Sequence, residues 1–210
     1  MIRILIADDH AVVREGLKRI LNDTPDMTVT GEASSGQELL DLVRSQPGEV
    51  VVLDLAMPGR GGIDTLRQLK REKPELPVLI LSIYPEDQYA VRALRDGASG
   101  YLTKESAPDE LVGAIRKAAQ GRKYVSPALA ERLALDLEAD GTALPHETLS
   151  NREYQVMLML SSGMTVSEIA DELALSVKTI STNRARLLKK MRMKTNAELT
   201  YYAVKQGLVQ

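Results

Sequence analysis

Five polar side chains stand at or just after the ends of short apolar runs in the first half of this chain. They are Asp8 and Asp9 after residues 2–7, Asp54 after 50–53, Ser82 after 78–81, and Lys104 soon after 100–102. A single aspartate after a strand is usually a loop or helix-cap residue, but here the pattern recurs at successive runs. The carboxyl ends of parallel strands meet at one edge of a sheet. We therefore expect these five side chains to converge on one site.

The residue types in this set suit phosphoryl transfer to a carboxylate. Clustered carboxylates repel one another unless a cation lies between them, and Mg²⁺ suits a site that offers few carboxylates and keeps several waters. Asp54 would be the nucleophile, while Mg²⁺ and Lys104 would neutralise charge on the phosphoryl oxygens. Ser82 would form a hydrogen bond with the new phosphate. We interpret the neighbouring His10 as a solvated loop residue rather than a metal ligand.

The segments that carry these residues alternate apolar runs with amphipathic stretches. The apolar runs predict strands at 2–7, 27–30, 50–53, 78–81 and 100–102. Helical periodicity predicts helices near 11–22, 36–45, 62–73, 86–96 and 108–120. This β-α-β-α order predicts an α/β fold with a doubly wound, five-stranded parallel sheet. Short apolar runs can also be buried helix segments, so the strand prediction depends on the whole pattern.

The chain changes character after residue 121. Residues 127–137 are predicted to be helical, and 140–145 read as a turn-rich linker. From residue 150 onward several short helices are predicted, with Gly163 and Gly207 where helix ends favour a left-handed residue. Capping-box spacing occurs at Ser35/Glu38, Ser150/Glu153, Thr165/Glu168 and Thr195/Glu198.

Residues 176–194 carry seven basic side chains and no acidic one. One face of the predicted helix is apolar, because Ile180, Leu187 and Met191 lie within about 40° on a helical wheel. The opposite face carries Lys178, Thr182, Ala185 and Lys189, flanked by Ser181 and Arg186. One face can pack while the other enters a groove of DNA, with short polar groups near bases and cations near phosphates. Together with a preceding helix at 166–175, this predicts a helix-turn-helix whose glycine-free turn is inferred from spacing.

Composition limits the class of protein. The length of 210 residues allows one large or two small domains, and 44% hydrophobic with 27% charged residues is typical of globular chains. No apolar run predicts a membrane span or a signal peptide, and the absence of cysteine excludes disulfides and thiolate sites. These features predict a cytoplasmic protein. Residues 145–210 carry a net charge of +3 and the rest −5, which favours two domains with different partners.

Residues 1–121 resemble the receiver domain of two-component response regulators. The matching residues are Asp8-Asp9, Asp54 in Leu53-Asp54-Leu55-Ala56-Met57-Pro58, Gly62, Ser82, and Lys104 in Gly100-Tyr101-Leu102-Thr103-Lys104. The resemblance implies a flavodoxin-like strand order and phosphorylation of Asp54 by a sensor histidine kinase.

The same resemblance implies specific roles around the phosphoacceptor. It implies that Asp9 and Asp54 bind Mg²⁺ directly, that Asp8 binds it through water, and that the Ala56 carbonyl is a further ligand. It also implies that Tyr101 is a switch aromatic that turns inward when the hydroxyl at position 82 moves toward the phosphate. A tyrosine in a strand is otherwise usually a core residue.

Residues 148–210 resemble the four-helix LuxR-type DNA-binding domain. Together with the receiver, this makes the chain similar to response regulators of the NarL/FixJ group. Residues 122–147 are predicted to be a partly helical linker. The matching residues are Leu149-Ser150-Asn151-Arg152-Glu153, Gly163, Glu168-Ile169-Ala170, Leu175-Ser176, Lys178-Thr179-Ile180 and Lys190-Met191. The resemblance implies a dimerisation helix at 197–208. The proposed DNA contacts are Lys178, Thr179, Ser181, Thr182, Asn183, Arg186, Lys189 and Lys190. Asn183 replaces a histidine of many members, and Ala185 replaces a long polar side chain.

The predicted protein is therefore a transcription factor rather than an enzyme. Phosphorylation would promote homodimerisation and binding to an inverted repeat in double-stranded promoter DNA, with RNA polymerase as a further partner and no contact with membranes. One alternative is a phosphohydrolase of the haloacid-dehalogenase group, which needs a second carboxylate where Ala56 stands. Another is a regulator that binds RNA or only proteins. The basic helix favours duplex DNA, and an aromatic content of 3%, all tyrosine, disfavours base stacking with single strands. Receiver pairing through the first and fifth helices or through the fourth remains open.

Overall fold

The computed structural model describes residues 1–57, 61–106, 108–138 and 144–209, which fall into two compact units. The first unit spans Met1–Asp136 and the second Leu137–Gln210. Pro58 and residues 140–143 of the turn-rich segment lie outside the described residues. Within the described ranges, none of the helices has both the length and the hydropathy that a membrane span requires.

The first unit is built on five parallel strands. These are β1 (Ile2–Ala7), β2 (Met27–Ala33), β3 (Val50–Leu53), β4 (Val78–Ser82) and β5 (Gly100–Thr103). Their order in the sheet is β2-β1-β3-β4-β5, and every neighbouring pair is parallel. The predicted doubly wound sheet with flavodoxin-like order is confirmed. Strand order reverses between β1 and β3, which is where ligands bind in such sheets.

The helices between and after the strands cover the sheet, which explains the apolar strands, and one further helix follows them. They are α1 (Ala11–Asn22), α2 (Gly36–Ser45), α3 (Gly62–Glu72), α4 (Glu86–Arg95), α5 (Pro108–Ala119) and α6 (Pro127–Glu138). All four residues of β3 are 1% exposed or less, as expected for a strand covered on both faces. In the core, Ile4 and Val52 of adjacent strands pack in one cluster with Ile115 of α5.

The predicted strand at 27–30 is too short, because β2 continues to Ala33. β2 pairs only with β1, so it is an edge strand of the sheet. Thr30, Gly31 and Glu32 are therefore tolerated in it, since an edge strand need not bury every side chain. An apolar pattern alone does not reveal such a continuation.

Helix α6 belongs mainly to the first unit, although the sequence assigns it to a linker. The Ser126 hydroxyl accepts a hydrogen bond from the Leu129 N–H at 3.0 Å and donates one to Glu86 Oε2 at 2.7 Å. It thereby fixes the start of α6 to the start of α4. Leu129 is 2% exposed.

The second unit contains a short 3-10 helix (Pro145–Thr148) and the four predicted α-helices. These are α7 (Asn151–Ser161), α8 (Val166–Glu172), α9 (Val177–Met191) and α10 (Asn196–Lys205). Complete capping boxes begin α7 at Ser150/Glu153 and α8 at Thr165/Glu168. At Ser35 and Thr195 the cap hydroxyl accepts the N–H of the glutamate three residues later, as expected. The glutamate carboxylate accepts the N–H of the residue before the cap instead of the N–H of the cap itself, so these two capping boxes are incomplete.

A left-handed residue ends each of the four α-helices of the second unit, and Arg192 (φ 56°) is the one that ends α9. Gly163 (φ 92°) and Gly207 (φ 64°) confirm the prediction from sequence. The predicted helix at 166–175 is too long, because α8 ends at Glu172 and Ala174 adopts a φ of 50°. The N–H of Leu175 then donates to the Ala170 carbonyl at 2.8 Å, closing the helix in a Schellman motif without glycine.

Candidate functional site

The carboxyl ends of β1 and β3 bring three carboxylates together. The side chains of Asp8 and Asp54 are 2% and 1% exposed, and that of Asp9 is 27% exposed. One oxygen from each of these groups and one ring nitrogen of His10 all lie within 4.8 Å of one another. Adjacent strands β1 and β3 are in parallel register, Ala7 opposite Leu53, which is why the acidic residues that follow them meet.

Lys104 reaches this pocket from the end of β5. Its Nζ lies 2.7 Å from Asp54 Oδ2 and 2.6 Å from Asp8 Oδ2. Its backbone N–H donates to the Ser82 carbonyl at 2.9 Å, which fixes the lysine backbone beside β4. Burial lowers the pKa of the Lys104 ammonium, but hydrogen bonds to the two carboxylates outweigh it and hold the pKa above its ordinary value.

Among the residues that the structure describes, each oxygen of Asp54 has one donor. The Ala56 N–H donates to Oδ1 at 3.0 Å, and the Lys104 ammonium donates to Oδ2 at 2.7 Å. Burial raises the pKa of this carboxyl above its ordinary value, and the two donors oppose the rise without cancelling it. The group is thus oriented by donors from two different elements.

A buried oxygen at the same edge fits a divalent cation. Asp9 Oδ1 is buried and has no hydrogen-bond partner among the described residues. His10 Nδ1 lies 2.9 Å from it but outside hydrogen-bond geometry, and the histidine side chain is 62% exposed. An unsatisfied buried carboxylate oxygen is costly unless a cation or water binds it. Three carboxylates with one such oxygen are a donor set that a hard divalent ion prefers.

Gly62, at the start of α3, allows the chain to pass close to Asp54. A Cβ at this position would lie 2.3 Å from the Asp54 carbonyl oxygen and 2.5 Å from the Leu55 Cα. Both are backbone atoms, so no side-chain movement would relieve the overlap. The glycine is required by the close approach of the backbone beside the phosphoacceptor candidate.

Ser82 and Tyr101 lie buried on adjacent strands next to this pocket, and both are 0% exposed. The tyrosine hydroxyl donates to the Tyr84 carbonyl at 2.8 Å, and the Tyr84 N–H donates to Ser82 Oγ at 3.3 Å. Burial raises the pKa of the Tyr101 hydroxyl, with the serine hydroxyl opposing the rise. The switch candidate is therefore in its inward orientation in this structure.

In the second unit, α9 separates buried from exposed residues as the helical wheel predicts. Ile180 and Leu187 are 0% exposed and Met191 is 5% exposed. The DNA-contact candidates Lys178, Thr179, Ser181, Thr182, Arg186, Lys189 and Lys190 are exposed, and Asn183 is half-buried. One face of α9 packs in the unit while the other is accessible.

Three long polar side chains of α9 have partners within the same unit. Lys190 Nζ lies 2.6 Å from Glu153 Oε2. Asn183 Nδ2 donates to the carbonyl of Thr179 at 3.1 Å, one helical turn back. Arg184 Nε donates to Asn196 Oδ1 at 2.7 Å. Sequence reasoning missed the partners Glu153 and Asn196, because they come from other helices and no local spacing connects them to α9.

Comparison with known proteins agrees with both units. Residues 4–116 match the family model of the response regulator receiver domain, and residues 147–203 match that of the bacterial regulatory proteins of the LuxR family. This chain is a response regulator of the NarL/FixJ type. The family consists of DNA-binding transcription regulators and not of enzymes, so the phosphohydrolase alternative is excluded.

Full-length relatives share both domains of this response regulator. The response regulator UvrY of Escherichia coli K12 is 38% identical over 209 residues, covering 99% of this chain and 96% of the relative. The response regulator GacA of Pseudomonas protegens is 40% identical over 209 residues, covering 100% and 98%.

A solved structure of RcsB from Salmonella enterica serovar Typhimurium is also similar. It is 27% identical, has a TM-score of 0.64, and covers 96% of this chain and 97% of its own. That protein was captured bound to the promoter rprA in the presence of the phosphomimetic BeF3⁻. The receiver domain of the present response regulator implies a histidine kinase as partner, and its LuxR-type domain implies DNA.

Proposed function

We propose that Asp54 accepts the phosphoryl group that a sensor histidine kinase supplies. The observation that supports this role is the buried Asp54 carboxylate with the Lys104 ammonium 2.7 Å from one oxygen. Asp8 has the same kinds of donor, the His10 N–H at 2.8 Å and the Lys104 ammonium at 2.6 Å. The choice of Asp54 over Asp8 therefore rests on the resemblance of Leu53–Pro58 to the receiver motif. The Ala56 N–H and the Lys104 ammonium each hold one oxygen of Asp54 and so fix the orientation of the carboxylate for attack.

In the proposed step a carboxylate oxygen of Asp54 attacks the phosphorus of a phosphohistidine. The new P–O bond forms as the P–N bond breaks, and the electron pair of the broken bond leaves with the imidazole. The product is an acyl phosphate, which carries more negative charge than the carboxylate it replaces. Lys104 is placed to neutralise that charge, and Ser82 to donate a hydrogen bond to a phosphoryl oxygen.

We also propose that the acidic pocket binds Mg²⁺. Asp9 and Asp54 would bind the ion directly, Asp8 through water, and the Ala56 carbonyl would complete the protein ligands. Bound there, Mg²⁺ supplies positive charge that stabilises the phosphoryl oxygens during transfer. The unsatisfied, buried Asp9 Oδ1 supports this assignment.

Labelling with acetyl phosphate tests the phosphoacceptor. The full chain should gain one phosphoryl group by intact mass in the presence of Mg²⁺ and none in excess EDTA. Asp54→Asn should not be labelled. Asp64→Asn is a matched control, because Asp64 is exposed on α3 and should leave labelling unchanged. Equal labelling of wild type and Asp54→Asn would contradict the assignment.

We propose that the receiver spans residues 1–121, the linker 122–147, and the DNA-binding domain 148–210. The DNA-binding domain would act as a dimer on an inverted repeat in duplex DNA, with half-site centres about one helical turn or a multiple apart. The exposed, acid-free face of α9 supports this function. Lys178 and Lys189 would contact phosphates, helped by Arg186 and Lys190, and Ser181, Thr182, Thr179 and Asn183 would lie toward the bases.

Salt titrations of duplex binding test the two phosphate contacts. Lys178→Ala with Lys189→Ala should weaken binding to every sequence and reduce the salt slope by about two, because two fewer counterions are released. Lys205→Ala is a matched control, because this exposed lysine lies on α10 and not on α9. An unchanged affinity and slope for the double variant would show that the face is merely solvated. Competition by single-stranded or duplex RNA as strong as that by duplex DNA would indicate an RNA-binding function.

A further inference from the structure

Four exposed residues of α9 form one straight line along the helix. Lys178, Thr182, Ala185 and Lys189 are spaced by four, three and four residues, which places them on one stripe. The two lysines at its ends are separated by about 16 Å along the axis, at 1.5 Å per residue. The major groove is about 12 Å wide, so a stripe of this length can place its cationic ends near both phosphate backbones. The middle of the stripe then faces the base edges.

The middle of this stripe presents methyl groups. The Thr182 hydroxyl donates its proton to the Lys178 carbonyl at 2.9 Å. That hydrogen bond fixes the side chain and leaves the γ-methyl as its second heavy-atom branch at an exposed position. Ala185 carries a methyl group and nothing else. Neither residue therefore brings a free proton donor to a base edge.

Three long polar side chains of α9 are held elsewhere, whereas Arg186 is exposed beside the stripe and is assigned above to the phosphates. Asn183, Arg184 and Lys190 are bound to Thr179, Asn196 and Glu153, respectively. Using any of them for base readout would break an intramolecular hydrogen bond. The middle of the stripe can meet bases without breaking any of these three hydrogen bonds.

We propose that Thr182 and Ala185 recognise thymine through its C5-methyl group. Thymine is the only base that presents a methyl group in the major groove, and apolar side-chain contact is the way proteins read it. The inference rests on the proposed duplex-binding function and adds the base and the chemical group that α9 reads. It identifies Thr182 as a specificity-determining residue through its methyl rather than its hydroxyl.

Replacement of thymidine by deoxyuridine tests this directly, since it removes only the methyl group. The full chain would first select a duplex from a randomised pool, and each thymidine of that duplex would then be replaced singly. Replacement at one or two positions per half-site should lower the affinity of the wild type about fourfold, because the contact of one buried methyl group is lost. Strong, sequence-selective binding with no sensitive position would overturn the inference while leaving duplex binding intact. Failure to select any duplex would instead overturn the proposed function.

Two variants of Thr182 separate its methyl from its hydroxyl. Thr182→Val keeps a methyl and removes the hydroxyl, so it should retain wild-type affinity and deoxyuridine sensitivity. Thr182→Ser keeps the hydroxyl and removes the methyl, so it should bind thymidine and deoxyuridine equally at one formerly sensitive position. The reverse pattern would assign readout to the hydroxyl and overturn the inference. Thermal melting of both variants controls for folding, because the residue is exposed and neither change should lower the midpoint appreciably.

Discussion

At the scale of single residues, the Lys104 ammonium offsets the negative charge of two buried carboxylates in the acidic pocket. Lys104→Met would leave the buried carboxylates of Asp8 and Asp54 without a counter-charge. We expect the free energy of unfolding of the first unit to fall by about 2 kcal/mol in EDTA, since the buried charged acceptors lose their donor. Mg²⁺ should restore more stability to the variant than it adds to wild type, because the ion supplies the missing positive charge.

Denaturant-dependent hydrogen exchange of the strand peptides would measure this change in the first unit. Lys18→Met is the matched control, because Lys18 pairs with Glu32 at 2.7 Å but is 39% exposed. An exposed pair contributes at most about 1 kcal/mol, and its loss should not respond to Mg²⁺. Equal responses of the two variants to Mg²⁺ would contradict the role given to Lys104.

A pair of identical substitutions tests the steric role of Gly62. Gly62→Ala should lower the rate of labelling by acetyl phosphate at least tenfold and destabilise the first unit by more than about 1 kcal/mol, because the new methyl meets the Asp54 backbone. Gly113→Ala in α5 should do the opposite, stabilising by about 1 kcal/mol. A Cβ there has no other atom within 4 Å. Stability and labelling would be measured in parallel. A Gly62→Ala variant with the stability and labelling rate of the wild type would contradict the predicted steric overlap.

The acidic pocket shows how far sequence reasoning reaches at this scale. Asp8, Asp9 and Asp54 could be placed together because each follows an apolar run, and the carboxyl ends of parallel strands meet at one edge of the sheet. What the sequence could not show is that Lys104 divides its contacts between two carboxylates, or that Asp9 Oδ1 lacks a partner. Those details depend on side-chain positions that no spacing encodes.

At the scale of elements, the start of α7 depends on a carboxylate that also meets α9. Burial raises the pKa of Glu153, but Lys190, the Ser150 N–H and the Ser150 hydroxyl outweigh it, so the pKa lies below the ordinary value of 4.5. A carboxyl whose pKa is lower in the folded state stabilises the fold above the unfolded pKa, and the contribution is lost as pH falls through the folded value. The second unit should therefore lose stability as the pH falls below about 4.5.

Glu153→Gln isolates this contribution. At about pH 6 the variant should be less stable than wild type by about 1–2 kcal/mol, because the charge-assisted hydrogen bonds are lost. By about pH 3 the difference should shrink, since the wild-type carboxyl is then becoming protonated. Hydrogen exchange of α7 peptides against pH measures it. Glu172→Gln at the exposed end of α8 serves as control, and a constant difference for Glu153→Gln across this range would refute the linkage.

The end of α8 gives a second test, in which the same substitution, alanine to glycine, should change the free energy of unfolding in opposite directions at two positions. Ala174 has a φ of 50°, which is strained for alanine and relaxed for glycine. Ala174→Gly should raise the free energy of unfolding by about 0.5–1 kcal/mol. Ala185→Gly in the exposed middle of α9 should lower it by about 1 kcal/mol. Chemical denaturation followed by helix-specific exchange would compare them, and destabilisation by Ala174→Gly would be contrary to this account.

Element boundaries mark where sequence reasoning about the fold succeeds and where it stops. The strands at 2–7 and 50–53 were predictable because their residues are apolar except for Arg3 near the start of β1. β2 was predicted too short because an edge strand tolerates Gly31 and Glu32. The helix α8 was predicted too long because Ala174 adopts the left-handed conformation that a glycine would have indicated. Tertiary context, which the local pattern does not contain, decided both boundaries.

At the scale of the whole molecule, we propose that exposed apolar residues on α10 form the dimer contact. Tyr201 and Val204 are 72% and 52% exposed on this helix. With beryllofluoride and Mg²⁺ present, sedimentation at micromolar protein should shift toward dimer. Val204→Glu should weaken that dimer at least tenfold, because it buries a charge in an apolar contact, with little effect on the melting of the monomer.

Ser167→Glu would control for added charge, because it places the same carboxylate on exposed α8 of the same unit. It should leave the sedimentation shift intact. No shift of the wild type with beryllofluoride would indicate a regulator that dimerises independently of phosphorylation. Dimerisation of Val204→Glu as strong as that of wild type would place the contact elsewhere.

The position of β1 between β2 and β3 also sets the order in which the chain can fold during synthesis. β1 is made first, yet it cannot complete its pairing until β3 has left the ribosome. Pairing of strands distant in sequence is slow, so the apolar strands of the first unit spend time unpaired and exposed to aggregation. The helices of the second unit begin at local caps and are made last. We therefore expect the receiver to limit the rate of folding, and chaperones that bind extended apolar segments to act on its strands rather than on the DNA-binding helices.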